Sequence, residues 1–341
     1  MTEIIIKPQS NFLNFDFSEL WRYRELLYIF SWRDVKMRYK QTILGIVWVI
    51  FQPLVTTGIF SIFFGKIAKI PSDGFPYPLF ILSGLVIWNF FANGLTNASQ
   101  SLVNNQSILQ KIYFPRVIIP ISAIITAGID FILTLVILFF ACVFYRYIPS
   151  MATIYIFPLI IIITLLTMMG LGFFTAAVNV KYRDVRFALP FFIQIGLFIT
   201  PVIYPLSIIY DYRKWLLILN PLTGVIETFR ILISGSSQFD FGLLVVSFII
   251  ALGTFVIGLV YFHRTEIYFA DIAWSPNMTT IIEVNNLWKK YQLGEKKSYL
   301  TLRDTLMEAP KSLLGNWTGD KTKLGKNDFW ALKNISFTVE Q

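Results

Sequence analysis

Residues able to do chemistry are scarce in this sequence, and the few present stand in unusual places. There is one histidine, His263, and one cysteine, Cys142. Metal centres are assembled from clusters of His, Cys and carboxylates, so a His/Cys site is excluded, and so is an intramolecular disulfide. A general acid and base must lie within reach of each other. With one His and no paired carboxylates in the expected cytoplasmic segments, a membrane glycosyltransferase or acyltransferase is disfavoured. What remains is polar chemistry at boundaries. Asp130 sits alone, with about 13 mostly apolar residues on either side. A carboxylate at mid-membrane costs about 2.5–3.5 kcal/mol on insertion scales, so it must face protein or water. The expected role is a structural hydrogen bond to a neighbouring helix, the alternative a polar contact lining a pathway. Glu227 and Arg230 stand at i,i+3 and can pair along one helix side.

The elements that must position these residues are apolar. Stretches 41–65, 74–110, 147–180 and 241–262 carry no charge. A helix needs about 20 apolar residues to cross a hydrocarbon core of about 30 Å. Six spans are expected, near 42–65, 77–100, 117–145, 153–180, 187–204 and 241–262. The first 40 residues lack the short apolar core and small-residue cleavage site of a signal peptide, so the first span is expected to be its own insertion signal. The net charge of +9 is read through topology rather than as nucleic-acid affinity. With the N-terminus inside, the inner segments carry 13 Lys and Arg and the outer ones 6. That asymmetry predicts cytoplasmic termini.

Between the spans, three segments stand out. In 18–40, Leu20, Tyr23, Leu27 and Phe30 share one helix face. There, Arg22, Arg24, Arg33, Lys36, Arg38 and Lys40 alternate with Trp and Tyr. A helix lying in the membrane interface has this pattern; a basic flank that only orients the first span would also have it. The stretch 101–116 turns amphipathic and meets Pro115, which predicts a short helix ending there. In 201–235, Pro201, Pro205 and Pro221 break the helical pattern, which predicts two short re-entrant helices dipping from the outer face.

At Pro276-Asn277-Met278 the character changes. Residues 1–277 hold 32 charges and the remaining 64 residues hold 17. The expected organisation is an all-α membrane domain, 1–277, and a small, incomplete β-rich fragment, 278–341. TTIIEV (279–284) reads as a strand, as does the alternation of Ile335, Phe337 and Val339. Residues 292–328 read as a polar insertion with a short helix near 299–308.

Several stretches together resemble the membrane subunit of polysaccharide-exporting ABC transporters, the O-antigen and teichoic-acid type. They are RDVKMRYKQTILGIVWVIFQPL (33–54), KIYFPRVIIPIS (111–122), VKYRDVRFALPF (180–191) and TPVIYPLSIIYDYRKWLLILNPLTGVIETFR (200–230). IIEVNNLWKKYQLG (281–294) and FWALKNISFTVEQ (329–341) are similar to the first strands of the matching ATPase subunit. No G-x-x-x-x-G-K-[ST] occurs in the sequence, so nothing cradles nucleotide phosphates and the chain is expected not to hydrolyse ATP alone. Tyr291 matches the family's adenine-stacking aromatic, as a remnant of such a site.

The resemblance implies a homodimer in a bacterial inner membrane over two copies of a complete ATPase subunit, which holds the ATP and Mg; no cofactor is expected in this chain. It implies an interface helix at 18–38 and a coupling helix at 101–114, with Ile108, Lys111, Ile112 and Tyr113 as ATPase contacts. The implied cargo is a polysaccharide on a polyprenyl pyrophosphate lipid. Arg33, Arg38 and Lys40 are then candidates for the pyrophosphate, because Arg binds phosphate with paired hydrogen bonds. Trp48, Trp88, Phe90, Phe91, Tyr204, Tyr210 and Tyr212 are candidates for a polysaccharide path, against the ordinary aromatic belts of membrane proteins. The alternative within the class is a permease for drugs or small lipids. A carrier working without ATP would be expected to show an internal repeat, and none is seen.

Overall fold

The computed structural model describes residues 21–40, 45–109, 111–182, 184–209, 215, 217–236, 239–266, 282–292 and 328–339. The chain divides into two compact units, Met1–Trp274 and Ser275–Gln341.

The described elements of the first unit are all helices. α1 (Arg24–Lys40) precedes α2 (Gly45–Phe60), which widens into a π-helical stretch, Ser61–Ile67. α3 (Tyr77–Asn104), the four-residue α4 (Gln106–Leu109), α5 (Ile118–Tyr145), α6 (Ala152–Lys181), α7 (Val185–Ile199), α8 (Pro221–Ile233) and α9 (Phe241–Glu266) follow. Five segments are long and apolar enough to cross a membrane: Val47–Ile67, Tyr77–Asn104, Ile118–Tyr145, Ala152–Lys181 and Phe241–Glu266. This is a multi-pass membrane protein.

Two boundaries differ from the sequence expectation. The helix expected over 187–204 stops at Ile199, with Thr200 extended. Pro201 clashes with helical backbone at the residue before it, which accounts for the stop. Fifteen residues rise only about 22 Å. α3 runs on to Asn104, so the expected helix at 101–114 is split, its first residues continuing the span and only Gln106–Leu109 forming a separate turn.

The core lies where α3 packs against α5, α6 and α8. α6 and α9 approach most closely. A Cβ on Gly258 would lie 1.9 Å from the Gly170 carbonyl oxygen, and one on Gly170 would lie 2.5 Å from that of Thr254. Small residues that let backbones touch are how membrane helices associate, since lipid gives no hydrophobic drive. α1 rests on α5, its Phe30 ring tilted against Phe114 at 5.7 Å.

In the second unit, β1 (Ile282–Gln292) pairs antiparallel with β2 (Asp328–Val339), Val284 opposite Phe337 and Tyr291 opposite Phe329. The register shifts between Val284 and Lys290, and Asn334 has a positive φ of 53°. The helix expected near 299–308 lies outside the described residues.

Candidate functional site

The end of the spans beside α1 holds a polar cavity of about 430 Å³. Arg33, Asp34 and Arg38 enter it from α1, and Asn97, Gln100, Ser101 and Asn104 from α3. Arg33 donates from Nε and Nη2 to Asp34 Oδ1, at 2.9 and 2.7 Å, and from Nη2 to Asn105 Oδ1 at 2.7 Å. Arg38 Nη1 donates to Asp130 Oδ2 at 2.6 Å, and the Tyr39 hydroxyl donates to Asp130 Oδ1. Burial, then the hydrogen bond and charge of Asp130, raise the Tyr39 phenol far above its ordinary pKa, so it stays a donor. The intramembrane carboxylate is thus held by the last turn of α1, a helix outside the spans. Lys40 is exposed beside it.

Of the candidate ATPase contacts, Ile108 lines the cavity and Lys111, Ile112 and Tyr113 follow it along the chain. Ile112 and Tyr113 are 60% and 74% exposed, Lys111 is also exposed, and Ile108 is half-buried. Phe114, buried against Phe30, anchors this turn to α1.

At the opposite end, Glu227 and Arg230 do pair, at 3.8 Å, but the stronger partners of Arg230 are elsewhere. Its guanidinium, 3% exposed, donates to the carbonyls of Pro201, at 2.6 Å, and Val202. It lies 3.7 Å from the Phe80 ring centroid, within cation–π range. A Cβ on Gly84 would come 2.7 Å from its Nη2, so only glycine leaves it room. The Asn220 side chain caps α8 through Leu222 N at 3.1 Å and donates to Thr200 Oγ1 at 2.8 Å. Tyr77 adds a bond to the Ile203 carbonyl at 2.9 Å. These contacts satisfy the backbone that Pro201 and Pro205 free from helical bonding.

The aromatics divide. Trp48 is 58% exposed on α2. Trp88, Phe90 and Phe91 are buried in the core, where Phe90 stacks on Phe131 at 4.4 Å and Trp88 closes over Gly196. Their faces are occupied by protein. Tyr204 is half-buried and donates to the Ile199 carbonyl at 2.8 Å. Tyr210 and Tyr212 lie outside the described residues. Tyr291 is placed by backbone register only. Among the described residues, no group of His, Cys, Asp and Glu is arranged to hold a metal.

The chain is thus a long helical membrane unit with a basic N-terminal helix and a Pro-broken segment before its last span, and the family profile described as ABC-2 type transporter matches residues 25–234. The chain belongs to that family. Its match to ABC-2 proteins extends to named relatives. It is 26% identical over 249 residues to an O-antigen export system permease protein RfbA of Klebsiella pneumoniae, covering 73% of this chain and 95% of that protein. An RfbA of Myxococcus xanthus is 28% identical over 214 residues, 62% of this chain and 81% of that protein. The polysialic acid transport protein KpsM of Escherichia coli is 25% identical over 207 residues, 58% and 77% of the two chains.

Proposed function

We propose that this ABC-2 family chain is the membrane subunit of an exporter that moves a polyprenyl-pyrophosphate-linked polysaccharide across a bacterial inner membrane. A partner ATPase supplies the energy. The observation that carries this reading is the polar cavity with Arg33 and Arg38 at one end of the spans, in a chain that aligns with 95% of an O-antigen export permease. In this reading the cavity end is cytoplasmic. The arginines serve the lipid's pyrophosphate, with Asp34, Asn105 and Asp130 holding them in place until phosphate oxygens arrive. Lys40 supplies further positive charge.

The finer architecture follows the same reading. α7 is the sixth span, shortened by Pro201, and α8 is re-entrant from the outer face. α1 lies in the interface, and Ile108, Lys111, Ile112 and Tyr113 seat in a groove of the ATPase. Two copies of this chain form the channel, with Trp48 and Tyr204 the candidate aromatics left open to its path among the described residues. ATP and Mg belong to two complete ATPase subunits, while 278–341 resembles the start of one. The deciding experiment is co-purification from cells of the source organism. A complete ATPase subunit and glycolipid should come down with this chain. Recovery of the ATPase with a small drug-like lipid, and no glycan, would replace the polysaccharide reading.

A further inference from the structure

Between Leu79 and Leu102 every residue of α3 is buried except Asn89, Ala92, Asn93, Thr96, Asn97 and Gln100. Their spacings of 3, 1, 3, 1 and 3 place them on one helix face. Asn104 continues that face to the end of the helix, exposed. The face therefore carries five carboxamides, at Asn89, Asn93, Asn97, Gln100 and Asn104. None of the five side chains makes a hydrogen bond with another described residue. Thr96 is different, because its hydroxyl is satisfied by the Ala92 carbonyl at 2.7 Å.

An apolar span whose uncovered face is mainly amides cannot turn that face to lipid, where unpaired amides are costly. The face must meet water, a ligand or more protein. We infer that it is a track for the hydroxyl groups of a glycan chain. The inference rests on the polysaccharide reading above. A carboxamide offers an acceptor oxygen and a two-proton donor, and a sugar hydroxyl both donates and accepts, so each rung can pair in either sense. Amides carry no charge, so the track holds a neutral or weakly charged polymer without fixing one position. An apolar cargo would leave every rung unpaired. The track is continuous with the cavity, since Asn97, Gln100 and Asn104 line both. A lipid pyrophosphate held at Arg33 and Arg38 would thus place its first sugars at the foot of the rungs. From Asn104 to Asn89 the face rises about 22 Å, to the middle of the span.

The competing occupant is a second copy of this chain, amide pairing with amide. One set of experiments separates the two. Cells lacking this chain are complemented with the double variant Asn89→Leu, Asn93→Leu, and surface polysaccharide is measured beside the self-association of the purified chain. Export about tenfold below wild type with self-association kept is the expected result, the size of losing one or two hydrogen bonds. Unchanged export, or loss of self-association, overturns the track. If the wild-type chain itself restores no surface polysaccharide, the parent reading fails instead. Should the double variant not fold, Asn93→Cys in a Cys142→Ala background gives an independent answer. Labelling by a small water-soluble thiol reagent, slowed when glycolipid accumulates in the membranes, is expected. Absence of labelling, or ready disulfide joining of two copies, overturns the proposal.

Discussion

Spans α2 and α3 are neighbours in sequence and pack side by side, yet they open opposite surfaces. Few residues of the α2 span are buried, and what it leaves open is mainly apolar: Trp48, Phe51, Val55, Ile59 and Ile62, with Gln52 an exposed amide among them. In α3 most residues are buried, and what it leaves open is mainly a line of amides. In water the rule would be apolar inside and polar outside. In a bilayer an open apolar face is simply at home in lipid or against a second subunit. The open polar face is the one that demands an explanation. The contrast shows that within a membrane unit the chemistry of the uncovered surface identifies the medium it meets.

The comparison can be broken by removing what covers α3. Gly258→Leu drives a side chain into the Gly170 carbonyl and separates α9 from α6, which itself covers α3. No folded protein is expected, as read by monodispersity in detergent. Arg230→Ala leaves the Pro201 and Val202 carbonyls and the Glu227 carboxylate without their cation. A destabilisation of about 3–5 kcal/mol is expected in thermal unfolding, the cost of breaking a buried ionic contact from one side.

Other changes sharpen the comparison. Phe51→Asn puts an amide on the apolar face of α2, and should cost about 2 kcal/mol of assembly or insertion. Asn93→Leu on α3 should leave insertion intact, so equal losses from the two changes would erase the distinction. Asp130→Leu removes the acceptor shared by Arg38 and Tyr39 and should destabilise by about 1 kcal/mol, while Asp130→Asn keeps an acceptor and should retain folding and most export. A folded Asp130→Asn protein without export would instead make the anion itself part of the transport path. Ile112→Asp changes an exposed position, so stability should move by no more than about 0.5 kcal/mol while export uncouples from ATP hydrolysis. Undiminished export would remove Ile112 from the ATPase contact.

Long charge-free runs announce spans because hydropathy is additive along a chain, and five of the expected segments stand as helices long enough to cross. Which face of a helix is covered is not additive. Trp88, Phe90 and Phe91 flank the uncovered Asn89 but are sealed into the core, whereas Trp48 is open. The i,i+3 spacing of Glu227 and Arg230 marks a local pair. The bonds from Arg230 to Pro201 and Val202 cross 28 or 29 positions and leave no spacing to read. The amide face escapes for another reason. Amides add nothing to a charge count, and a window of 18 residues averages them into an apolar mean. The signal is there in the 4, 4, 3, 4 recurrence of carboxamides from Asn89 to Asn104, which a search for polar rather than charged periodicity would catch.

The glycine contact between Gly170 and Gly258 has a mechanical meaning. Backbones that touch leave no side-chain cushion to slide on, so α6 and α9 must travel as one rod. α3, packed along α6, travels with them. Hinge and shear motions need elements with few contacts to break. In this molecule those are α2 and α7, the helices with the barest flanks. In the proposed exporter, a passage that widens is expected to keep the amide-bearing wall fixed and to move the other.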